Sequence, residues 1–162
     1  MIEITEQFAV LPDKLWPLIS DPRRWPDWIA GDGPWLPPES VMPIAADGSE
    51  WLAAAADGQQ ATWQVVKSDD DYRLQCMTTD TKHAAMPMRL LHHLQISPIE
   101  NGCLLEWATE YDLARVSFWQ KIVMHGPVRN AIETMQIYSL INLHDITTAP
   151  TDDEEEQPEP EQ

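Results

Sequence analysis

Apolar residues recur along this chain with two different periods. Over the first ten positions Ile2, Ile4, Phe8 and Val10 share one parity, while Glu3, Thr5, Gln7 and Ala9 share the other, the alternation of a half-buried strand. Glu6 breaks the pattern, as a carboxylate that either marks an exposed strand end or faces the interior. From about Ala114 to Asp145 the period changes. Val116, Trp119, Ile122, Val123, Ile132, Met135, Ile137, Tyr138, Ile141 and Leu143 follow helical spacing, and their stripe is too wide for a helix lying on a surface. A helix of this length, about 45 Å, needs a concave partner the size of a sheet, with Val123 and Met135 turned toward it. Gly126-Pro127 predicts a kink or short break, with Pro127 suited to start a second segment.

Between these ends the chain has one helical stretch and then a run of strands. Pro12-Asp13-Lys14-Leu15-Trp16 has the chemistry of a helix start, and Asp21-Pro22 stops that helix early. Arg23 to Ile29 predicts another helical turn carrying Trp25 and Trp28, and Gly31 to Pro38 is loop chemistry that tucks Trp35 and Leu36 against something apolar. Strands follow at about Val41 to Ala45, Glu50 to Ala56, Gln60 to Lys67, Tyr72 to Thr79, Ala85 to Ser97 and Cys103 to Leu113. The short connections Asp47-Gly48, Asp57-Gly58, Ser68 to Asp71 and Glu100-Asn101-Gly102 favour antiparallel hairpins over crossovers. Ala53 to Ala56 is the weakest strand by propensity, and Pro87 suggests an edge or a bulge.

Charge narrows the partners. The formal net charge is −17, and Thr151 to Gln162 holds seven of the 27 acids and no base, leaving 20 acids against 10 bases, or −10, in the body. Such a field repels nucleic acid and anionic lipid. Residues 1–148 are expected to form one domain, followed by a disordered acidic tail over 149–162 that is available to a protein partner. With no signal-peptide pattern and no apolar run of membrane-spanning length, a cytoplasmic location without membrane insertion is expected. Cys76 and Cys103 lack metal-type spacing and are expected to be buried, reduced thiols.

The order of strand, two short helices, meander and long terminal helix resembles the START-like, or Bet v 1-like (SRPBCC), superfamily. Leu11-Pro12-Asp13, Trp16, Asp21-Pro22 and Trp28 are similar to the N-terminal words of its polyketide cyclase, dehydrase and lipid-transport families. The resemblance covers about residues 2 to 145 and carries no catalytic signature. It implies an α+β helix-grip fold, a curved antiparallel sheet of six or seven strands around the terminal helix, with a cavity for an apolar small molecule between them. The leading functional expectation is binding or carriage of a small hydrophobic ligand without a cofactor. A polyketide cyclase or aromatase-like enzyme and a co-chaperone-like interaction module are the alternatives.

Strand parity nominates the site. Met86, Met88, Leu90, His92, Leu94 and Ile96 share one face, as do Cys103, Leu105, Trp107, Thr109, Tyr111 and Leu113. A few polar groups on an apolar wall is how ligand pockets are built, so Trp28, Met88, His92, Trp107, Thr109, Tyr111, Trp119, Val123 and Met135 are the candidate lining. No metal site is expected, because alternation sends His92 and His93 to opposite faces, which weakens a copper reading of His83, Met86, Met88, His92 and His93. If the protein is an enzyme, Glu6 and His92 are the candidate proton-transfer pair, since burial raises a carboxyl pKa and lowers that of imidazole.

Overall fold

The computed structural model describes residues 1–30, 39–55, 58–82, 88–113 and 116–149. Trp35, Leu36, His83, Met86, Pro87 and the acidic tail lie outside the described residues. Seven strands form one sheet: β1 (Ile2–Phe8), β2 (Ser40–Pro43), β3 (Glu50–Ala54), β4 (Gln60–Ser68), β5 (Arg73–Lys82), β6 (Arg89–Ile99) and β7 (Gly102–Asp112). Their spatial order is β1-β7-β6-β5-β4-β3-β2, and every pairing is antiparallel. Consecutive hairpins build the meander from β2 to β7, and β1 closes against its last strand. Gly102 permits that closure: its φ is +145°, and a Cβ there would come within 1.9 Å of the Phe8 carbonyl oxygen. Ala53 and Ala54 are strand despite their helical propensity, because β3 is paired on both sides.

Alternation decides what the sheet buries. Ile2 and Phe8 on β1, Trp63 and Val65 on β4, Leu74 and Cys76 on β5, Leu90, Leu94 and Ile96 on β6, and Cys103, Leu105 and Trp107 on β7 are all buried on the concave side. Both cysteines are free, and desolvation pushes their thiols above the ordinary range. One end of this core is covered by helix α1 (Pro12–Ser20), a 3-10 turn (Pro22–Arg24) and the single turn α2 (Trp25–Trp28). Pro12 sits at the first turn of α1 and Pro17 lies inside it, while Asp21, extended, stops it. The indole of Trp16 donates to Asp69 at 2.9 Å and Tyr72 donates to Asp13, which ties α1 to the β4–β5 turn.

The terminal helix α3 spans Phe118–Thr148 without a break. It starts later than its apolar pattern predicts, because Ser117 and Gln120 form a capping box: the Ser117 hydroxyl accepts from the Gln120 amide, and the Gln120 side chain accepts from the Ser117 amide. Pro127 is absorbed within the helix. The Val123 carbonyl that loses its donor there belongs to a residue 73% exposed, so water can take the missing bond. Val128, Ile132, Met135, Gln136, Ser139, Leu140 and Leu143 form the buried face. Met135 therefore sits on the buried face as expected and Val123 does not. The first three turns are exposed at nearly every position, so the wide apolar stripe includes an outer face that the sheet leaves uncovered.

Candidate functional site

His92 lies in the middle of β6, opposite Cys76 on β5 and Thr109 on β7, and is 1% exposed. Its Nδ1 accepts a hydrogen bond from the Trp107 indole at 3.1 Å, and Thr109 Oγ1 stands 2.8 Å from the same nitrogen. An indole N–H can only donate, so Nδ1 is the bare nitrogen of a neutral ring and the proton is on Nε2. Thr109 in turn accepts from Gln136 Nε2 at 2.9 Å, and the same amide nitrogen lies 3.3 Å from the Trp107 carbonyl. A polar chain thus runs from α3 through β7 to β6: Gln136 to Thr109 to His92. Each member is at most 1% exposed. Gln136 Oε1 is buried and has no hydrogen-bond partner among the described residues.

Aromatic rings enclose this chain. Trp63 and Trp107 each have ring centroids 5.8 Å from His92, Trp28 meets Trp107 edge-on at 5.8 Å, and Trp25 meets Trp63 edge-on at 6.0 Å. A register shift between Thr62 and Trp63, which pair with Asp80 and Thr78, marks the bulge beside Trp63. The short helices are pinned as well as packed. Trp25 and Trp28 donate to the Ile19 and Leu18 carbonyls, Ser139 accepts from the Ala30 amide at 2.9 Å, and Asn142 donates to the Trp28 carbonyl at 3.1 Å. Burial, with a smaller contribution from His93, lowers the His92 pKa to about 3. The ring is neutral at any physiological pH, far from the matched pKa that a general base near neutrality requires.

Tyr111 continues the inner face of β7 two residues beyond Thr109 and is half-buried. Its hydroxyl is 2.6 Å from His125 Nδ1 on the exposed part of α3, and burial first, then Glu133, raises its pKa against the opposing Arg129. The two side chains stand in an open cleft of about 460 Å³ lined also by Met1, Glu110, Leu113 and Lys121, within the size range of small-molecule sites. A second depression of about 460 Å³ lies on the outward-facing side of the sheet, among Lys67, Arg73, Gln75, His93, Gln95 and Glu106. It is unrelated to the polar chain.

The sequence-derived set therefore divides. Trp28, His92, Trp107 and Thr109 meet around one buried cluster, Met88 and Met135 are buried, and Tyr111 sits at the cleft. Trp119 and Val123, at 74% and 73% exposure, stand on the outer face of α3 and line nothing inside. Glu6 does not share a void with His92. Its carboxylate bonds His144 Nε2 at 3.0 Å, with both side chains about two-fifths exposed, and strand geometry puts it four residues along and two strands away, roughly 16 Å from His92. Inward parity of Glu6 and His92 thus did not amount to proximity. Gln136, Trp63 and Trp25 were missed. Trp63 was legible by its parity on β4, whereas Gln136, polar within an apolar helix, carried no signal of its direction.

A seven-stranded antiparallel sheet gripping a terminal helix defines the helix-grip architecture of START-like proteins. The chain belongs to the polyketide cyclase / dehydrase and lipid transport family, whose model matches residues 1–145. Among solved structures it resembles XoxI from Bacillus cereus, at 17% identity and a TM-score of 0.69 over 90% of this chain and 94% of that one. A START superfamily protein from Mycobacterium smegmatis gives 12% identity and 0.64 over 90% and 95%, and a protein from Thermus thermophilus gives 13% and 0.67 over the same shares. These likenesses establish the fold. No curated protein sequence matches the chain. No helix among the described residues is long and apolar enough to cross a membrane, and no group of three or more His, Cys, Asp or Glu among them is arranged to hold a metal ion.

Proposed function

We propose that this protein binds and carries a small hydrophobic molecule bearing one hydrogen-bond donor, such as a hydroxyl, in the space between the sheet and α3. The observation that carries this reading is Gln136 Oε1, an acceptor sealed within the buried polar chain without a hydrogen-bond partner among the described residues. Leaving such a group unpaired costs about 1–3 kcal/mol, and a ligand donor placed there removes that cost. Trp28, Trp63, Trp107, Met88 and Met135 supply apolar wall around the anchor, and the cleft at Tyr111 and His125 is the proposed mouth. Carriage is favoured over cyclase or dehydrase chemistry by the low pKa of His92 and its separation from Glu6: at roughly 16 Å the two are too far apart to pass a proton between them.

The test uses the full chain with matched probes, 1-decanol and decane. Decanol is expected to raise the melting temperature more than decane, and Gln136→Leu should abolish that preference while leaving the response to decane. Native mass spectrometry of freshly purified protein should show a co-purifying mass. No retained mass together with no shift from either probe would sink the reading.

A further inference from the structure

The outer face of α3 is apolar, uncovered and symmetric about its own midpoint. Trp119, Val123, Ile137 and Ile141 are 74%, 73%, 49% and 48% exposed, and Ile122 and Tyr138 flank them at 54% and 56%. Each has a counterpart at the same distance from Asn130: Trp119 and Ile141 lie eleven residues away, Ile122 and Tyr138 eight, Val123 and Ile137 seven, and Gly126 and Thr134 four. At about 100° per residue, all but Ile122 and Tyr138 fall within about 40° of the direction of Asn130. Only one kind of partner matches a surface that repeats itself in reverse, namely the same surface turned end for end.

Side-chain size selects the same arrangement. Gly126, Asn130 and Thr134 keep the centre small, and the bulky residues lie at both ends. Two helices crossing at Asn130 approach most closely there and diverge outward, where larger side chains are needed to fill the gap. A Cβ on Gly126 would meet nothing within 4 Å, so no contact inside this chain requires the bare backbone on that face. From these observations we infer that the protein forms a two-fold symmetric dimer through the outer faces of two antiparallel α3 helices, with Trp119 of each copy beside Ile141 of the other. Covering the six apolar side chains in both copies removes on the order of 1,000–1,500 Å², at the lower end of stable interfaces. A membrane is the weaker occupant, since the strongly acidic chain repels anionic lipid and the stripe is flanked by Glu133 and Asp145.

Sedimentation of the full chain at about 100 µM, above the micromolar range of small interfaces, is expected to give twice 18.5 kDa, or 37 kDa, and to fall toward the monomer on dilution. Val123→Lys or Ile137→Glu alone should leave a monomer. Both together in one chain should restore the dimer, because positions 123 and 137 meet across the axis. Asn130→Cys should form an intermolecular disulfide under mild oxidation, whereas Asp145→Cys, about 45 Å from its own copy in this arrangement, should not. These positions are exposed in one copy, so far-UV circular dichroism of the variants should match the parent. A monomer at every concentration would overturn the inference, as would equal crosslinking at 130 and 145. So would a monomer that sediments with phosphatidylcholine vesicles in a manner abolished by Val123→Lys.

Discussion

His92 accepts two hydrogen bonds at one nitrogen, and both depend on its staying neutral. Because its pKa falls from the ordinary 6.5 to about 3 on folding, the unfolded chain takes up a proton in this window that the folded chain refuses. Stability is therefore complete above pH 6.5 and declines as pH falls toward 3, by about 1.4 kcal/mol per pH unit once well below 6.5. Urea midpoints at pH 7 and pH 5 should show this decline, and His92→Gln should flatten it. Thr109→Val keeps the shape of the side chain but strips Gln136 of the nearer of its two acceptors and His92 of a donor, so a loss of about 1–3 kcal/mol is expected in the same urea assay. Parity alone placed His92, Thr109 and Trp107 on inner faces. It gave no distance along the strands, which is why Glu6 looked like a neighbour of His92 when it bonds His144 at the other end of β1.

At the level of elements, α3 is two helices in stability if not in geometry. The half after Pro127 buries seven residues against the sheet and α2, while the half before it has few buried contacts and lacks the amide that would bond the Val123 carbonyl. In the dilute monomer, amides over 121–126 are thus expected to exchange at least tenfold faster than those over 132–143, and Pro127→Ala should narrow that gap by restoring the missing bond. Hydrogen exchange read by mass spectrometry checks both. Helical periodicity shows which residues share a face and leaves open which face meets the sheet. The outer set, Trp119, Ile122 and Val123, is as apolar as the inner one, so the pattern could not reveal that half the helix stands clear. The strands were easier: four of the five connections in the meander carry their own Gly, Asp or Asn, and alternation fixes the faces between turns.

For the molecule as a whole, a net charge of −17 on 162 residues works against compactness. Raising sodium chloride from about 0.02 to 0.3 M shortens the screening length from roughly 20 to 6 Å. The melting temperature should rise, by about 2 to 4 °C for each kcal/mol of repulsion relieved, and differential scanning calorimetry across that range would reveal a flat or falling trend if local ion pairs dominated instead. The architecture was legible because a meander has almost no topological choice once its turns are seen, whereas the joining of β1 to β7 has no turn to announce it and was read from the structure. The distribution of indoles has an optical consequence. Of the seven tryptophans among the described residues, Trp16, Trp25, Trp28, Trp51, Trp63 and Trp107 are each at most 8% exposed and Trp119 is 74% exposed. Among these seven, iodide, which cannot enter the core, reaches Trp119 selectively in the monomer and loses that access if two α3 helices pair, making Trp119 a native reporter of whether the outer face of α3 is open to solvent.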